Sequence, residues 1–299
     1  MPELPDITVY LEALAARTLG EPLEKIELRG VALLRSVEPA LPSFEGRVVR
    51  ELRRIGKRIV WGFDDERFLV FHLMIAGRFR WKKRGAKPPG RVGHGAFQFP
   101  SGTLVLTEQG TKKRTTLHAV QGEEALALHD RGGIDVLTCD RDAFEEALVR
   151  ENHTLKRTLT DPRFFSGIGN AYSDEILHRA GLSPVKLSQK MKDDEIERLF
   201  VATRATLEWW IAHLRKENGE GFPEKVTAFR PEMAVHGRFR EPCPVCDSPV
   251  QRIVHAENET NYCATCQTGG KLLADRALSR LLKKDWPRTL EEMERRRPS

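Results

Sequence analysis

The organisation of this chain is clearest at residues 164–184, which read FFSGIGNAYSDEILHRAGLSP. Two glycines here predict a double turn, and the residues after it have the composition of a helix. Asn170 is a suitable N-cap for that helix, and Asp174 and Glu175 suit the positive end of its dipole. Gly181 marks its C-terminal end. The segment therefore predicts a turn that leads directly into a helix.

Helical periodicity surrounds this turn on both sides. The predicted helices cover residues 141–150, 155–159, 171–180 and 193–216. A Gly- and Pro-containing linker follows at 219–223. The second and third helices with the turn between them form a helix-two-turns-helix unit.

The first 120 residues have a different pattern. Residues 7–18 carry an apolar stripe typical of a helix, and Gly20 ends it. From residue 24 to about 120, short β-type runs alternate with turns, as in RIVWGF at 58–63 and FLVFH at 68–72. These runs predict a β-sandwich, with a surface loop at 82–93.

Four of the five cysteines form two closely spaced pairs late in the chain. Cys243 and Cys246 form one pair and Cys263 and Cys266 the other, with sixteen residues between the pairs, while Cys139 stands apart. Two Cys-x2-Cys knuckles on a hairpin predict one tetrahedral zinc ion with four thiolate ligands. Because no coordination position is left for water, the metal is expected to be structural. Four free cysteines with accidental spacing are the alternative.

Composition limits the class of protein and of partner. The chain has 299 residues, 40% of them hydrophobic, so it is long enough for two domains with separate cores. No apolar run approaches a membrane span, so the cytoplasm is the expected location, and we expect the chain to act as a monomer. The net charge of +6 favours a polyanionic partner.

Three motifs occur together and in order: MPELPD at 1–6, GIGN at 167–170 and the four cysteines. With them the chain resembles the formamidopyrimidine-DNA glycosylase and endonuclease VIII family over about residues 1 to 268. Two further matches are Lys57 within RIGKR and VHGR at 235–238. The resemblance implies a base-excision-repair glycosylase with abasic-site lyase activity and damaged DNA as partner.

The resemblance also implies an α+β, multi-domain fold. We expect an N-terminal catalytic β-sandwich with flanking helices at 1–125, a helix-two-turns-helix DNA-binding domain at 126–226, a zinc-finger hairpin at 227–268 and a charged helical tail at 269–299.

Pro2 is the expected nucleophile. Cleavage of Met1 would expose a secondary amine with an ordinary pKa near 8, against about 10.4 for lysine. Such an amine can attack a sugar C1′ atom, displace the damaged base and form an iminium from which the strand is cleaved by elimination. Glu3 is expected to move the protons, and Lys57 to assist elimination from a hairpin, as the resemblance implies. A proline that only rigidifies the terminus, and a solvated turn lysine, are the alternatives.

Several residues are expected to contact DNA. A glycine turn before a helix points backbone amides at a phosphate, which Asn170 and Lys156 would help to hold. A plain helix cap is the alternative for Asn170, and a buried structural histidine for His72. The complete expected set is His72, Lys112, Lys113, Lys156, Gly169, Asn170, Arg238 and Asn258.

Some positions depart from the family pattern. Asn258 stands where the family has an arginine at the hairpin tip, which removes a charge-assisted phosphate clamp. HLMI at 72–75 shifts a methionine by one position, EQGTKKR at 108–114 replaces a second motif, and Asp6 replaces a glutamate. These departures leave the preferred lesion open. They also keep open a damaged-DNA-binding relative with weak or no turnover, and a zinc-ribbon transcription factor.

Overall fold

The computed structural model describes residues 1–30, 32–110, 112–255, 258–275, 281 and 283–295. The chain divides into two compact units. The first unit comprises Met1–Gly132 and Trp209–Thr227, and the second comprises Gly133–Glu208 and Ala228–Ser299. Among the described residues, none of the helices has the length and apolarity that crossing a bilayer requires.

The first unit begins with helix α1, Leu4–Thr18, and continues with eight strands. A short helix, α2 (Glu123–Ala127), follows the last strand. The strands are β1 Lys25–Leu28, β2 Val49–Ile55, β3 Arg58–Phe63, β4 Arg67–His72, β5 Gly77–Lys82, β6 Gly93–Phe99, β7 Gly102–Glu108 and β8 Thr116–Gln121.

The eight strands form two antiparallel four-stranded sheets, with orders β1-β6-β7-β5 and β2-β3-β4-β8. Both sheets contribute to one buried core. Trp61 and Phe71 of the second sheet meet Phe97 of the first, with ring centroids 5.0 to 5.6 Å apart. Such tilted and edge-on contacts add to the stabilisation from apolar burial. The predicted β-sandwich is confirmed.

The second unit is helical before it reaches the cysteines. Its helices are α3 Arg141–Val149, α4 Leu155–Thr160, α5 Asn170–Ala180 and most of α6, Asp193–Asn218, whose last turns belong to the first unit. Strands β9 Gln251–His255 and β10 Asn258–Tyr262 form an antiparallel hairpin that leads into α7, Ala264–Thr268. The predicted α+β architecture, with its helical segment and cysteine hairpin, is confirmed.

Two details around the glycine turn were predicted wrongly. The N-cap of α5 is Gly169, and Asn170 is the first helical residue, without a side-chain cap. Asp174 and Glu175 lie beyond the first turn, and both are buried. Their carboxylates therefore serve tertiary contacts instead of the helix dipole.

The predicted helical tail lies partly outside the described residues, since 276–280, 282 and 296–299 are among those left out. The described part contains helix α8, Leu290–Arg295, after a 3-10 turn at Lys283–Asp285. The boundaries expected at 125, 226 and 268 stay predictions.

Replacing Phe71 by Leu should test the aromatic core. The variant keeps an apolar side chain but loses ring contacts to three neighbours and leaves a cavity. The free energy of unfolding should therefore fall by about 2 kcal/mol. Val37→Ala, at a position 89% exposed, is the control and should change stability by less than about 0.5 kcal/mol. Urea unfolding followed by circular dichroism measures both. Equal losses in the two variants would show that the ring contacts contribute nothing specific.

Candidate active site and nucleic-acid interface

The start of the chain is buried in the first unit. Pro2, Glu3 and Asp6 are all buried, with Glu3 as the N-cap of α1. The backbone N–H of Glu3 donates to Asp6 Oδ2 at 2.9 Å. Asp6, the expected departure from glutamate, thus fixes the backbone next to the expected nucleophile.

The amino terminus has an unusual electrostatic environment. Burial lowers the pKa of the Met1 amine, the charges of Arg78 and Lys57 lower it further, and the carboxylates of Glu3 and Asp6 oppose the shift. Loss of water penalises the charged form of an amine. The net result is a lowered pKa of the Met1 amine, which increases the fraction of its neutral form.

Arg78 was not predicted as a site residue. It lies on β5, where the alternation of GRFRWK indicates an exposed polar face, and no local signal distinguishes it. In the structure its Nε donates to the carbonyl oxygen of Val226 at 2.6 Å, and its Nη1 to those of Ile75 and Gly77 at 3.1 and 2.6 Å. Three carbonyl acceptors hold the guanidinium in place.

Lys57 and His72 lie at one end of the second sheet. Lys57 is in the two-residue turn between β2 and β3, where Gly56 adopts a positive φ of 59°. His72 ends β4 directly opposite Arg58. Burial, followed by the charges of Arg58, Lys57 and His118, lowers the pKa of His72 to about 4. The imidazole is therefore neutral at pH 7.

Lys112 and Lys113 lie between β7 and β8. Lys112 is exposed, whereas Lys113 Nζ donates back to the carbonyl oxygen of Glu108. The next strand begins at Thr116, which pairs with His72. The first unit thus places these lysines at the sheet end that carries Lys57 and His72.

A buried carboxylate organises the expected DNA-contacting residues of the second unit. Asp174 Oδ1 accepts from Lys156 Nζ at 2.5 Å, and Oδ2 lies 2.8 Å from His236 Nδ1. The backbone N–H of Asn261 on β10 also donates to Oδ2, at 3.1 Å. Lys156 Nζ makes a second bond, to the carbonyl oxygen of Asn170 at 2.6 Å. One carboxylate therefore connects α4, α5, the cysteine hairpin and the His236-Gly237 pair, which we call the HG motif.

The neighbouring Glu175 holds the segment before the cysteines. Its carboxylate accepts backbone N–H bonds from Ala234, Val235 and His236 at 2.7 to 2.9 Å. Burial raises the pKa of Glu175, while these three bonds stabilise its charged form. Arg238 follows, with its guanidinium 2.8 Å from Glu241.

The side chain of Asn170 points to the hairpin. Its Nδ2 donates to the carbonyl oxygen of Glu259 at 2.8 Å. Asn258 is exposed at the first position of β10. Arg252, the nearest candidate to replace the missing tip arginine, pairs with Glu259 at 3.1 Å and stacks on Phe239. The guanidinium of Arg252 therefore already has two partners within the second unit.

The four clustered cysteines meet in the second unit. Their sulfur atoms all lie within 4.8 Å of one another, and the Cys246 sulfur is 3.4 Å from those of Cys263 and Cys266. Ligands 2.3 Å from a tetrahedral zinc are about 3.8 Å apart, so the cluster fits one structural Zn²⁺. Val235 and Val250 pack against it. His178 Nε2 lies 3.2 Å from the Cys243 sulfur, as an outer contact of the ligand.

Family models cover most of the chain. They match the formamidopyrimidine-DNA glycosylase N-terminal domain at residues 1–131, its H2TH domain at 135–217, and the zinc finger found in FPG and IleRS at 240–269. The formamidopyrimidine-DNA glycosylase of Heliobacterium modesticaldum is 32% identical over 286 residues, covering 89% of this chain and all of that protein. The chain belongs to the formamidopyrimidine-DNA glycosylase family. It is an enzyme of that bifunctional glycosylase and abasic-site lyase family, as the resemblance implied.

Solved structures show the same fold. The MutM (FPG) protein of Thermus thermophilus superposes with a TM-score of 0.74 at 30% identity, covering 89% of this chain and 98% of that one. Lactococcus lactis Fpg in complex with DNA containing an abasic site gives 0.77 at 24% identity, with 89% and 99% coverage. The latter likeness supports the fold alone. The roles expected for individual residues stay predictions.

Cysteine substitution should separate the zinc ligands from the fifth cysteine. Cys246→Ser should lose the metal because it removes one of four thiolates, whereas Cys139→Ser should retain about one zinc per chain. Inductively coupled plasma mass spectrometry of purified protein measures both. Full zinc content in Cys246→Ser would exclude the four-cysteine site.

The histidine at the end of β4 should make stability depend on pH. Since the folded pKa of His72 is about 4 against 6.5 in the unfolded chain, the unfolded state binds more protons between these values. Its contribution is present above pH 6.5 and is lost as pH falls towards 4. From pH 7.5 to 5, wild type should lose about 2 kcal/mol more unfolding free energy than His72→Asn. Urea titrations at the two pH values test this, and parallel losses would contradict it.

Proposed function

We propose that this chain removes damaged bases from DNA through covalent catalysis by Pro2 and then cleaves the strand at the resulting abasic site. The observation that carries the proposal is the buried start of the chain, where Pro2 adjoins the buried carboxylate of Glu3 and the backbone is fixed by Asp6. The surroundings lower the pKa of the Met1 amine, and we expect them to act in the same direction on the Pro2 amine once Met1 is removed. Family membership supplies the class of reaction, and this environment suits it.

The reaction begins once Met1 has been removed. The neutral nitrogen of Pro2 bonds to C1′ of the damaged nucleotide, and the electrons of the glycosidic bond leave with the base, which takes up a proton. The amine loses its own proton and the sugar ring oxygen gains one, so that the ring opens to an iminium. This cation acidifies C2′, whose proton is removed as the bond from C3′ to its phosphate oxygen breaks.

Glu3 is the proposed proton carrier. It adjoins Pro2 in sequence, and its carboxylate is close enough to the terminus to oppose the fall in the amine pKa. A buried carboxylate can exchange protons with the ring oxygen and C2′ without competition from bulk water. Lys57, whose charge also acts on the terminal amine, is the proposed contact for a phosphate beside the reacting sugar.

Each unit supplies its own phosphate-binding residues in this proposal. In the first unit these are Lys57, His72, Lys112 and Lys113. In the second unit they are Gly169, Asn170, Lys156, Arg238 and Asn258. Because Lys156 also neutralises Asp174, its substitution would leave a buried carboxylate without its cation, and its role combines binding with structure.

Damaged DNA is the proposed partner, with the protein acting as a monomer in the bacterial cytoplasm. The net charge of +6 favours DNA without regard to sequence. The curated relatives are named for formamidopyrimidine lesions, and Lactococcus lactis Fpg has been solved with abasic-site DNA. These are the first substrates to test. The contacts of Arg252 with Glu259 and Phe239 favour a second candidate, a damaged-DNA-binding relative with weak or no turnover, which we call the binding-only candidate.

Borohydride trapping on abasic-site DNA tests the nucleophile. Reduction of the iminium should give a stable protein–DNA adduct with wild type, and peptide mapping should place it on Pro2; the adduct should decrease in Pro2→Gly, where a primary amine replaces the secondary one. Retained zinc and retained binding to abasic DNA are the controls for folding. An adduct that maps to a residue other than residue 2 would place the nucleophile elsewhere. A wild type that lacks Met1 and forms no adduct would support the binding-only candidate.

A further inference from the structure

Glu108, the last residue of β7, is a buried acid that the proposed chemistry does not use. Its side chain is almost completely inaccessible to solvent. Its Oε1 accepts the backbone N–H of Arg114 at 2.9 Å, and its Oε2 accepts that of Thr115 at 3.2 Å. A carboxylate that accepts two backbone bonds fixes the chain that donates them. Glu108 therefore fixes the backbone at Arg114 and Thr115, directly before β8.

A bulge in β6 adds a third group to this carboxylate. The register shifts between Gly93, which faces Thr107, and Gly95, which faces Leu106, so His94 is the additional residue. Its Nε2 lies 2.9 Å from Glu108 Oε2. The bulge thus brings the imidazole to ion-pair distance from the acid, although the two groups are not aligned for a hydrogen bond. The backbone N–H of Glu108 donates to the carbonyl oxygen of Val92 at 2.9 Å.

The segment held in this way is basic. Lys112, Lys113 and Arg114 are consecutive, and we call Lys112–Arg114 the basic segment. Lys113 donates to the backbone of Glu108, whereas the side chains of Lys112 and Arg114 are exposed. Lys113 thus bonds the segment to Glu108, which we call the anchor, while the other two residues are exposed.

The basic segment lies near the other cations of the first unit. Thr115 Oγ1 donates to the carbonyl oxygen of Leu73 at 3.3 Å. Thr116 is paired with His72, which is paired with Arg58. The anchor therefore holds the segment at the sheet end where the Lys57 turn lies, so that these cations can face one polyanion.

We propose that Glu108, supported by His94, is a positioning residue that fixes the basic segment for contact with DNA phosphates. The acid touches neither DNA nor the reacting sugar. It acts by restricting the backbone that carries Lys112 and Arg114 before DNA binds. Less conformational entropy is then lost on binding. The identity of the polyanion as DNA rests on the proposed function.

A double-mutant cycle tests the coupling. The substitutions are Glu108→Gln, which replaces one acceptor oxygen by a donor facing a backbone N–H, and Lys112→Ala. Binding to duplex DNA with a tetrahydrofuran abasic analogue is measured across a salt series. Each single variant should bind roughly five- to tenfold more weakly, and Lys112→Ala should reduce the salt slope by about one. The double variant should resemble Glu108→Gln alone, because Lys112 is already misplaced.

The proposal would be overturned if the loss of DNA affinity in the double variant equalled the product of the losses in the two single variants. Unchanged affinity in Glu108→Gln would also overturn it. Glu123→Gln, an exposed acid paired with Arg53, is the matched control and should bind normally. Zinc content and thermal unfolding verify folding. If Glu108→Gln does not fold, His94→Gln takes its place in the cycle, with the same expectation of non-additivity.

The borohydride assay separates this inference from the proposed chemistry. If the mutant cycle shows coupling between Glu108 and Lys112 but wild type forms no adduct with borohydride, the positioning role is supported and the proposed chemistry is contradicted. If wild type forms the adduct but the two substitutions weaken DNA binding independently, the chemistry is supported and the positioning role is contradicted.

Discussion

Burial of the amino terminus is the constraint on which the proposed chemistry depends. An exposed α-amine with a pKa near 8 is mostly protonated at neutral pH and is then no nucleophile. Here desolvation and the cations Arg78 and Lys57 favour the neutral form, while Glu3 and Asp6 supply the opposing charge. The same surroundings would favour the neutral form of the Pro2 amine next to the Glu3 carboxylate, which is what covalent catalysis with proton transfer requires.

A cation near the amino terminus needs hydrogen-bond acceptors to replace lost water, and backbone carbonyl groups of the first unit supply them for Arg78. Arg78 remains bonded to three carbonyl oxygens, so it does not need a carboxylate partner that would cancel its effect on the amine. Lys57 is held on a two-residue turn that only a tight hairpin provides. The first unit thus places both cations through its strands and turns.

The second unit depends on buried carboxylates in the same way. Asp174 and Glu175 are adjacent on α5 and inaccessible, yet each has several hydrogen-bond donors. Burying a charge without partners is strongly unfavourable, so these contacts determine one arrangement of the residues that donate them. The glycine turn, the HG motif and the cysteine hairpin are therefore organised around two neighbouring acids.

Much of this could be predicted from the sequence, because strands and helices follow local periodicity and the cysteine pairs follow metal geometry. The N-cap was wrong because Gly169 takes that position and Asn170 bonds to the hairpin instead. The roles of Asp174 and Glu175 were missed because α5 is buried on nearly all sides, which removes the usual amphipathic signal. Arg78 depends on a contact with Val226, far along the chain, and Glu108 lies beside a histidine on another strand. Local patterns do not encode such contacts.

The most direct measurement is the intact mass of the native protein, combined with sequencing of its first residues. A mass without the initiator methionine, and proline as the first residue, is the predicted result. Retention of Met1 would leave the proline nitrogen in an amide bond, and covalent catalysis by Pro2 would then be impossible.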